Sequence, residues 1–276
     1  MEAHGDAMYV IGSMHTVCED YARAMSSAGR PYIIVADGCS ASPDTDIGAR
    51  LLAMAAGAYL NTFTDNAPIE PRSLALAARR LASGCGLPQT CLDSTLLLAR
   101  LLPERGGAGT VEVTCFGDGS VVCRDRASGA LEITTVSFPG GAPYYLSYLL
   151  DAGRRRILFE HGLKKVVRVR EVAGADTTLR DLTECEDEGA LCTTVCVDAD
   201  RVDLVALFSD GVETFVDRRE DRPRAVPLEA VVSELLAFKN YQGRFVERRM
   251  RRFLKAARER RWIHEDDLSL AALSIG

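Results

Sequence analysis

Between Ser94 and Thr135 the apolar residues fall into short blocks: Ser94 to Leu102, Val111 to Phe116, Val121 to Arg124 and Leu131 to Thr135. Gly106-Gly107, Asp118-Gly119 and Ser128-Gly129 separate them. Turn residues at that spacing interrupt a helix and reverse a strand, so the segment predicts an antiparallel meander. Strands also open the chain, over Met8 to Met14, Tyr21 to Met25 and Pro31 to Ala36, with a turn at Ser26-Ser27-Ala28-Gly29. Two alanine- and leucine-rich stretches, Gly48 to Phe63 and Arg72 to Ser83 behind Pro71, read as helices buried on a wide face. Tyr144 to Leu150 predicts a short helix, and Val166 to Val169, Cys192 to Val197 and Leu204 to Phe208 predict strands. Acidic Thr177 to Gly189 predicts a mobile loop. Leu228 to Lys239 and Gln242 to Arg260 read as helices and Leu268 to Ile275 as a last strand. Blocks of strands alternating with helix pairs predict a layered α+β sandwich.

The bulk composition excludes several classes. A net charge of −6 with 47% apolar residues suits a globular chain and disfavours nucleic acid as the main partner. The longest nearly apolar run, Leu51 to Leu60, is about half of a membrane span, and no basic leader precedes an apolar stretch. The expected location is the cytoplasm, with no membrane partner. No linker, low-complexity segment or repeat divides the chain, which predicts one domain over 1–276. Nine cysteines without a Cys-x-x-Cys, and only four histidines, suggest neither a disulfide framework nor a zinc site; most of the thiols are expected to be buried. In the last helix Val246, Met250, Phe253, Leu254 and Ala257 form one face beneath nine Arg and Lys between Arg244 and Arg261. That basic face reads first as solvated surface paired with Glu247 and Glu259, and second as a phosphate or partner site.

Four motifs set carboxylates beside glycine or at the borders of apolar strands: Cys18-Glu19-Asp20-Tyr21, Val35-Ala36-Asp37-Gly38, Phe208-Ser209-Asp210-Gly211 and His264-Glu265-Asp266-Asp267. Turn chemistry accounts for each alone. Together they are charged oxygens at buried strand ends, which must be paired, solvated or bound to a cation. An all-oxygen set suits magnesium or manganese.

The ordered set resembles the metal-dependent protein phosphatases of the 2C type, in their divergent bacterial branch. It comprises Glu19-Asp20, Asp37-Gly38, Gly48-Ala49 opening a helix, Ser94-Thr95, Gly117-Asp118, Ser209-Asp210-Gly211 and Asp266-Asp267-Leu268-Ser269, spread from Met8 to Ile275. The resemblance implies a four-layer αββα sandwich, two antiparallel sheets flanked by helix pairs, with a two-metal centre at one end. It implies that Asp37 bridges two manganese or magnesium ions, that the Gly38 carbonyl binds one, and that Asp210 and Asp266 complete the other. Glu19 and Asp20 act mainly through metal-bound water, and Asp118 with Asp210 can hold a third, weaker metal. The implied reaction is hydrolysis of a phosphate monoester by a hydroxide bridging the two metals, without a phosphoenzyme. The implied substrate is a phosphoserine or phosphothreonine protein, with a serine/threonine kinase as counterpart; oligomeric state is not indicated.

The chain departs from the family at several points. His15 stands where the family usually has a phosphate-gripping arginine, so a bidentate fork is replaced by one imidazole, whose grip should strengthen below about pH 6.5. Cys39 stands where many members carry a histidine proposed as general acid; its thiol is a proton donor at neutral pH or a spectator. Glu213 is three residues beyond Asp210, where the family's extra acid often lies four beyond. The segment 136–189 matches least and is expected to supply a flap-like surface that sets substrate choice, with Tyr144, Tyr145 and Tyr148 half-buried or lining a groove.

Three rivals compete. A phosphatase fold used as a weakly active or inactive regulatory module fits His15 and Cys39, while intact Asp37, Asp210 and Asp266 speak against it. Val195-Cys196-Val197-Asp198-Ala199-Asp200 resembles the nucleophile motif of haloacid-dehalogenase-type phosphatases, but a strand follows at once and a hairpin accounts for it better. Cysteine-dependent phosphatase chemistry fails because none of the cysteines has an arginine six residues on within a phosphate-cradling loop.

Overall fold

A computed structural model describes residues 2–27, 30–62, 67–102, 109–138, 143–161, 165–174, 176–184 and 192–276. Strands β1 (Ala3–Val10), β2 (Asp20–Ser27) and β3 (Arg30–Gly38) lead into helices α1 (Thr45–Thr62) and α2 (Pro71–Gly84). Next come β4 (Ser94–Leu102), β5 (Thr110–Phe116), β6 (Gly119–Asp125), β7 (Leu131–Ser137), α3 (Ala152–His161), β8 (Lys165–Ala173), β9 (Asp176–Glu184), β10 (Thr193–Asp198) and β11 (Val202–Phe208). The chain ends with β12 (Phe215–Asp217), β13 (Arg224–Ala225), α4 (Leu228–Leu235), α5 (Phe245–Glu259), β14 (Trp262–His264) and β15 (Leu268–Ile275).

Two antiparallel sheets stack face to face. One has seven strands in the order β1-β15-β11-β6-β7-β8-β9, and the other five in the order β10-β5-β4-β3-β2. Between them lie Ile33, Val35, Leu97, Ala99, Val205, Leu207, Ala271 and Leu273. Their neighbours in sequence point outward: Ile34, Ala36, Leu96 and Leu98 meet α1 and α2, while Leu204, Ala206, Phe208, Leu270 and Ala272 meet α4 and α5. Each central strand is therefore covered on both faces, which is why its sequence is an unbroken apolar run rather than an alternating one. These are the four layers the resemblance implied.

Several expectations are corrected. The meander is two hairpins in two sheets: β4 pairs with β5 in one, β6 with β7 in the other. The chain changes sheet at Gly117, whose φ of 95° and close approach to Thr95 admit no ordinary side chain. Likewise β10 and β11 form no hairpin, since β10 edges the smaller sheet and β11 lies inside the larger. Strand β9 occupies 176–184, covering the expected loop from Thr177 to Glu184, because β8 pairs with it along its whole length; residues 185–189 of that loop lie outside the described residues, as do Ala28, Gly29, Phe63 and Gly106-Gly107. The first strand ends at Val10, not Met14, which is exposed in the loop that follows. Helix α5 starts at Phe245, not Gln242, where Asp6 of β1 accepts hydrogen bonds from the Val246 and Glu247 amides at 2.7 and 3.2 Å. Of the eight described cysteines, all free thiols, only Cys91, Cys115 and Cys123 are buried. No helix among the described residues is long and apolar enough to cross a membrane.

Candidate active site

The hydrogen-bond register sets the acids in place. Asp20 opens β2 and faces Asp37 at the end of β3, and Asp37 faces Thr95 of β4 on its other side. Asp118 sits on the corner between the sheets, and Asp210 follows the end of β11, next to β6 in the larger sheet. Asp266 is brought in by Thr214. Its hydroxyl donates to the Gly211 carbonyl at 2.8 Å and accepts from the Glu265 and Asp266 amides at 3.2 and 3.1 Å, stapling the two turns together. Gly211 is needed here because any side chain would collide with the Asp267 carbonyl, whose oxygen lies 1.7 Å from where a Cβ would stand.

Charge crowding is the dominant property of the cluster. Burial, then the charges of Asp20 and Asp210, push the Asp37 carboxyl well above the usual carboxylate range; a hydrogen bond with Asp210 and the charge of Asp118 add to it. Burial and then Asp266 raise Asp210, although its hydrogen bond with Asp37 and the nearby His15 oppose the rise. Asp118 is pushed up to about 7 by burial and then by Asp210. Asp20 is wholly buried and raised by that burial, although Ser209 donates to its Oδ2 at 2.7 Å. Its Oδ1 has no partner, and neither do the buried hydroxyls of Ser94 and Thr95. Orphaned oxygens therefore flank Asp37 on both neighbouring strands, an arrangement that costs free energy unless a cation or ordered water completes it.

Not every acid faces inward. Glu19 accepts from Ser40 at 2.5 Å and Thr45 at 2.6 Å. Asp267 is buried and accepts from the Gly12 and Glu19 amides at 2.7 and 2.6 Å, a structural staple. Among the described residues no three His, Cys, Asp or Glu side chains stand together at ligating distance. Glu19 and Asp267 thus take hydroxyl and amide partners, while Asp37 and Asp210 share a hydrogen bond.

Comparison with known proteins bears on the fold. Residues 13–140 match the protein phosphatase 2C family model. The fold is that of protein phosphatase 2C. A bacterial serine phosphatase structure superposes with a TM-score of 0.54 at 11% identity, covering 100% of this chain and 98% of that one. The serine/threonine phosphatase Stp1 from Staphylococcus aureus gives 0.53 at 11% over 100% and 96%, and that of S. agalactiae 0.53 at 13% over 100% of both chains. No curated protein sequence matches. The resemblance carried by the motifs holds.

Within this protein phosphatase 2C fold the departures acquire positions. His15 Nε2 lies 3.1 Å from Asp266 Oδ1, and Nδ1 lies 3.2 Å from Asp267 Oδ2 without hydrogen-bond alignment. Cys39 is half-buried, and its amide donates to the Asp93 carbonyl at 2.8 Å. Glu213 is exposed, near enough to Arg170, Asp210, Arg168 and Asp118 to feel their charges. Asp198 lies at the end of β10, exposed, where it accepts from the Asp200 amide at 2.8 Å. Sequence reasoning missed Asp93 and Arg154, and named Ser209 only as part of a motif, without its bond to Asp20. The one available signal was Asp93 directly before the Ser94-Thr95 motif.

Proposed function

We propose that the protein is a metal-dependent phosphatase acting on phosphoserine and phosphothreonine in proteins, and so a counterpart to a serine/threonine kinase. The observation that carries this reading is the convergence of Asp37, Asp118, Asp210 and Asp266 beside the orphaned Asp20 Oδ1. Proton affinities raised by burial first and then by neighbouring carboxylates mark a site short of positive charge, and an all-oxygen donor set suits manganese or magnesium. Asp37, the Gly38 carbonyl, Asp210 and Asp266 would hold two such ions, and Asp118 with Asp210 a third. When bound, the ions neutralise the phosphate dianion and activate water for in-line attack.

The chain's own residues do the positioning. Ser209 fixes Asp20 against Asp37, Thr214 fixes Asp266 beside Asp210, and Ser40 with Thr45 fixes Glu19 at the rim, where it orders water. His15 braces Asp266 through Nε2, which leaves only Nδ1, unaligned with Asp267, to meet a phosphate in place of an arginine fork. The Cys39 thiol is the candidate proton donor to the leaving oxygen. Cys39→Ala separates that role from a spectator's: loss of a proton donor slows a phosphoserine peptide but spares an aryl phosphate, whose leaving group needs no proton. The region 136–189 supplies the surface that selects the protein substrate.

A second reading, the regulatory module, is favoured by His15 being turned onto Asp266 rather than left free. One experiment divides the two: phosphate release from a phosphothreonine peptide and an aryl phosphate with EDTA, magnesium or manganese, for the natural chain and for Asp37→Asn, Asp210→Asn and Asp198→Asn. Metal-stimulated turnover lost in the first two variants and kept in the third supports the enzyme. A folded protein that binds manganese and turns over neither substrate supports the module.

A further inference from the structure

We propose that Asp267 is a positioning residue for the cation site: it takes the Glu19 amide out of the β2–β3 ladder and so leaves the Gly38 carbonyl open to a divalent cation, while Asp93 fixes the same peptide from the β4 side. The inference rests on the metal-dependent reading above.

The register sets Glu19 opposite Gly38, one step beyond the Asp20–Asp37 pair. Facing residues of this kind exchange two hydrogen bonds in a closed antiparallel ladder. Here one is made, from the Gly38 amide to the Glu19 carbonyl at 3.2 Å. The return bond is missing, because the Glu19 amide donates to Asp267 Oδ2 at 2.6 Å. No backbone donor among the described residues takes its place on the Gly38 carbonyl. Asp267 itself is 2% exposed, stands directly before β15 and is anchored on its other oxygen, where Oδ1 accepts from the Gly12 amide at 2.7 Å. The next carbonyl along the chain makes the contrast. That of Cys39 accepts from the Ser42 amide at 2.9 Å and from the Thr45 hydroxyl at 3.2 Å.

Asp93 sets the direction. Its carbonyl accepts from the Cys39 amide at 2.8 Å, and in a planar trans peptide the Gly38 carbonyl then points the opposite way, toward the end of β2. The Asp93 carboxylate, 1% exposed, accepts from Ser42 at 2.7 Å, from Ser147 at 2.6 Å and from both terminal Arg154 nitrogens at 2.9 and 2.7 Å, which ties the turn after Gly38 to residues 147–154. A Cβ at position 38 would stand 2.9 Å from the Thr45 carbonyl oxygen and 3.1 Å from that of Glu19, so glycine lets the turn close this tightly. A carbonyl deprived of its ladder donor costs free energy on its own and suits a hard cation, whose ligands are oxygens. Asp20 Oδ1, on the residue next to Glu19, is a second oxygen without a partner.

The test uses the full chain with magnesium as the probe, since a diamagnetic ion allows carbonyl-carbon NMR. Titrated into the natural chain, magnesium should shift the Gly38 carbonyl together with the carboxyls of Asp37 and Asp210, while the Glu19 amide stays protected from hydrogen exchange throughout. In Asp267→Ala the Glu19 amide should close onto the Gly38 carbonyl, moving that resonance before any magnesium is added, and magnesium affinity should fall by about tenfold, as for other outer-shell partners of metal ligands. Asp267→Asn keeps the size but offers one acceptor oxygen to two amides, so it should fold where the alanine variant does not and lose about threefold. Ser42→Ala cuts the turn from the Asp93 carboxylate and should also lose about threefold, with the metal-free Gly38 resonance unmoved. A merely structural role for Asp267 would leave that resonance in place. A Gly38 carbonyl that magnesium does not shift, while the aspartate carboxyls do respond, overturns the inference and leaves the enzyme reading intact; so does natural affinity in both Asp267 variants. Natural affinity in Ser42→Ala removes the part assigned to Asp93. A Gly38 carbonyl that responds to magnesium in a chain that hydrolyses no phosphothreonine peptide, with magnesium or manganese, overturns the enzyme reading and keeps the inference. A chain that binds neither ion removes both.

Discussion

The central strands and the β8–β9 ribbon belong to the same fold and are held by the same ladder of hydrogen bonds, yet they differ in what fixes them. Every residue of β15 is buried, and β3, β4 and β11 are covered on both faces. In β9 the described side chains are exposed, Leu179 at 57%. A one-residue slip of a central strand would turn all its side chains to the wrong face, so its register is rigidly specified. The candidate catalytic acids stand at the ends of those strands. Precision of the site is therefore a by-product of the core, while the ribbon beside it, bearing Arg168 and Arg170 near Glu213, is free to differ.

The sharpest way to break this comparison is to remove an acid at a central strand end. Asp37→Asn should lower metal-stimulated phosphate release by about 1000-fold or more, several kcal/mol of transition-state stabilisation. The metal-free variant should melt higher than the natural chain, since a carboxyl penalised by burial first and then by its acidic neighbours is gone. A variant that is both inactive and less stable would mean that Asp37 serves the fold rather than the chemistry. Phe208→Ala tests the support directly. This fully buried ring lies one residue before Ser209, and its loss should cost about 3–5 kcal/mol in urea unfolding. A cost below about 1 kcal/mol would remove the claim that the core enforces the site.

The pH dependence has a definite sign. Asp118, raised to about 7, and the raised Asp37 and Asp210 bind protons more tightly folded than unfolded. The stability they contribute is complete below the ordinary carboxylate value of about 4 and is lost as pH rises toward about 7. In EDTA the melting temperature should fall between about pH 5 and pH 8, manganese should flatten the profile, and Asp118→Asn should flatten it in part. A metal-free profile that is level, or that rises with pH, contradicts the crowding.

How much was legible follows the same division. Ser94–Leu102 and Leu268–Ile275 were found to the residue, because burial on both faces writes an unbroken apolar run. The acids could be read because each lies at the border of such a run. Sheet membership could not: Gly117 and the turn before β11 look like hairpin loops, and only the stacking of two sheets makes them corners. Strand β9 carries no apolar alternation, so its polar sequence passed for a loop. The Asp93–Arg154 pair joins residues 61 apart and leaves no local pattern at all.

The smallest expected effect probes the ribbon alone. Leu179→Ala removes an exposed side chain from β9, and its register partner Arg170 on β8 keeps the backbone ladder. Stability should change by less than about 0.5 kcal/mol, as at surface positions generally, and kcat on an aryl phosphate should not move. KM for a large phosphoprotein is the informative quantity. If it rises while KM for a short phosphopeptide stays fixed, the ribbon reads the protein around the phosphate, and recognition and chemistry are separate devices in one fold. If kcat on the small ester falls instead, the ribbon is coupled to the acids, and the freedom inferred from its exposure is contradicted.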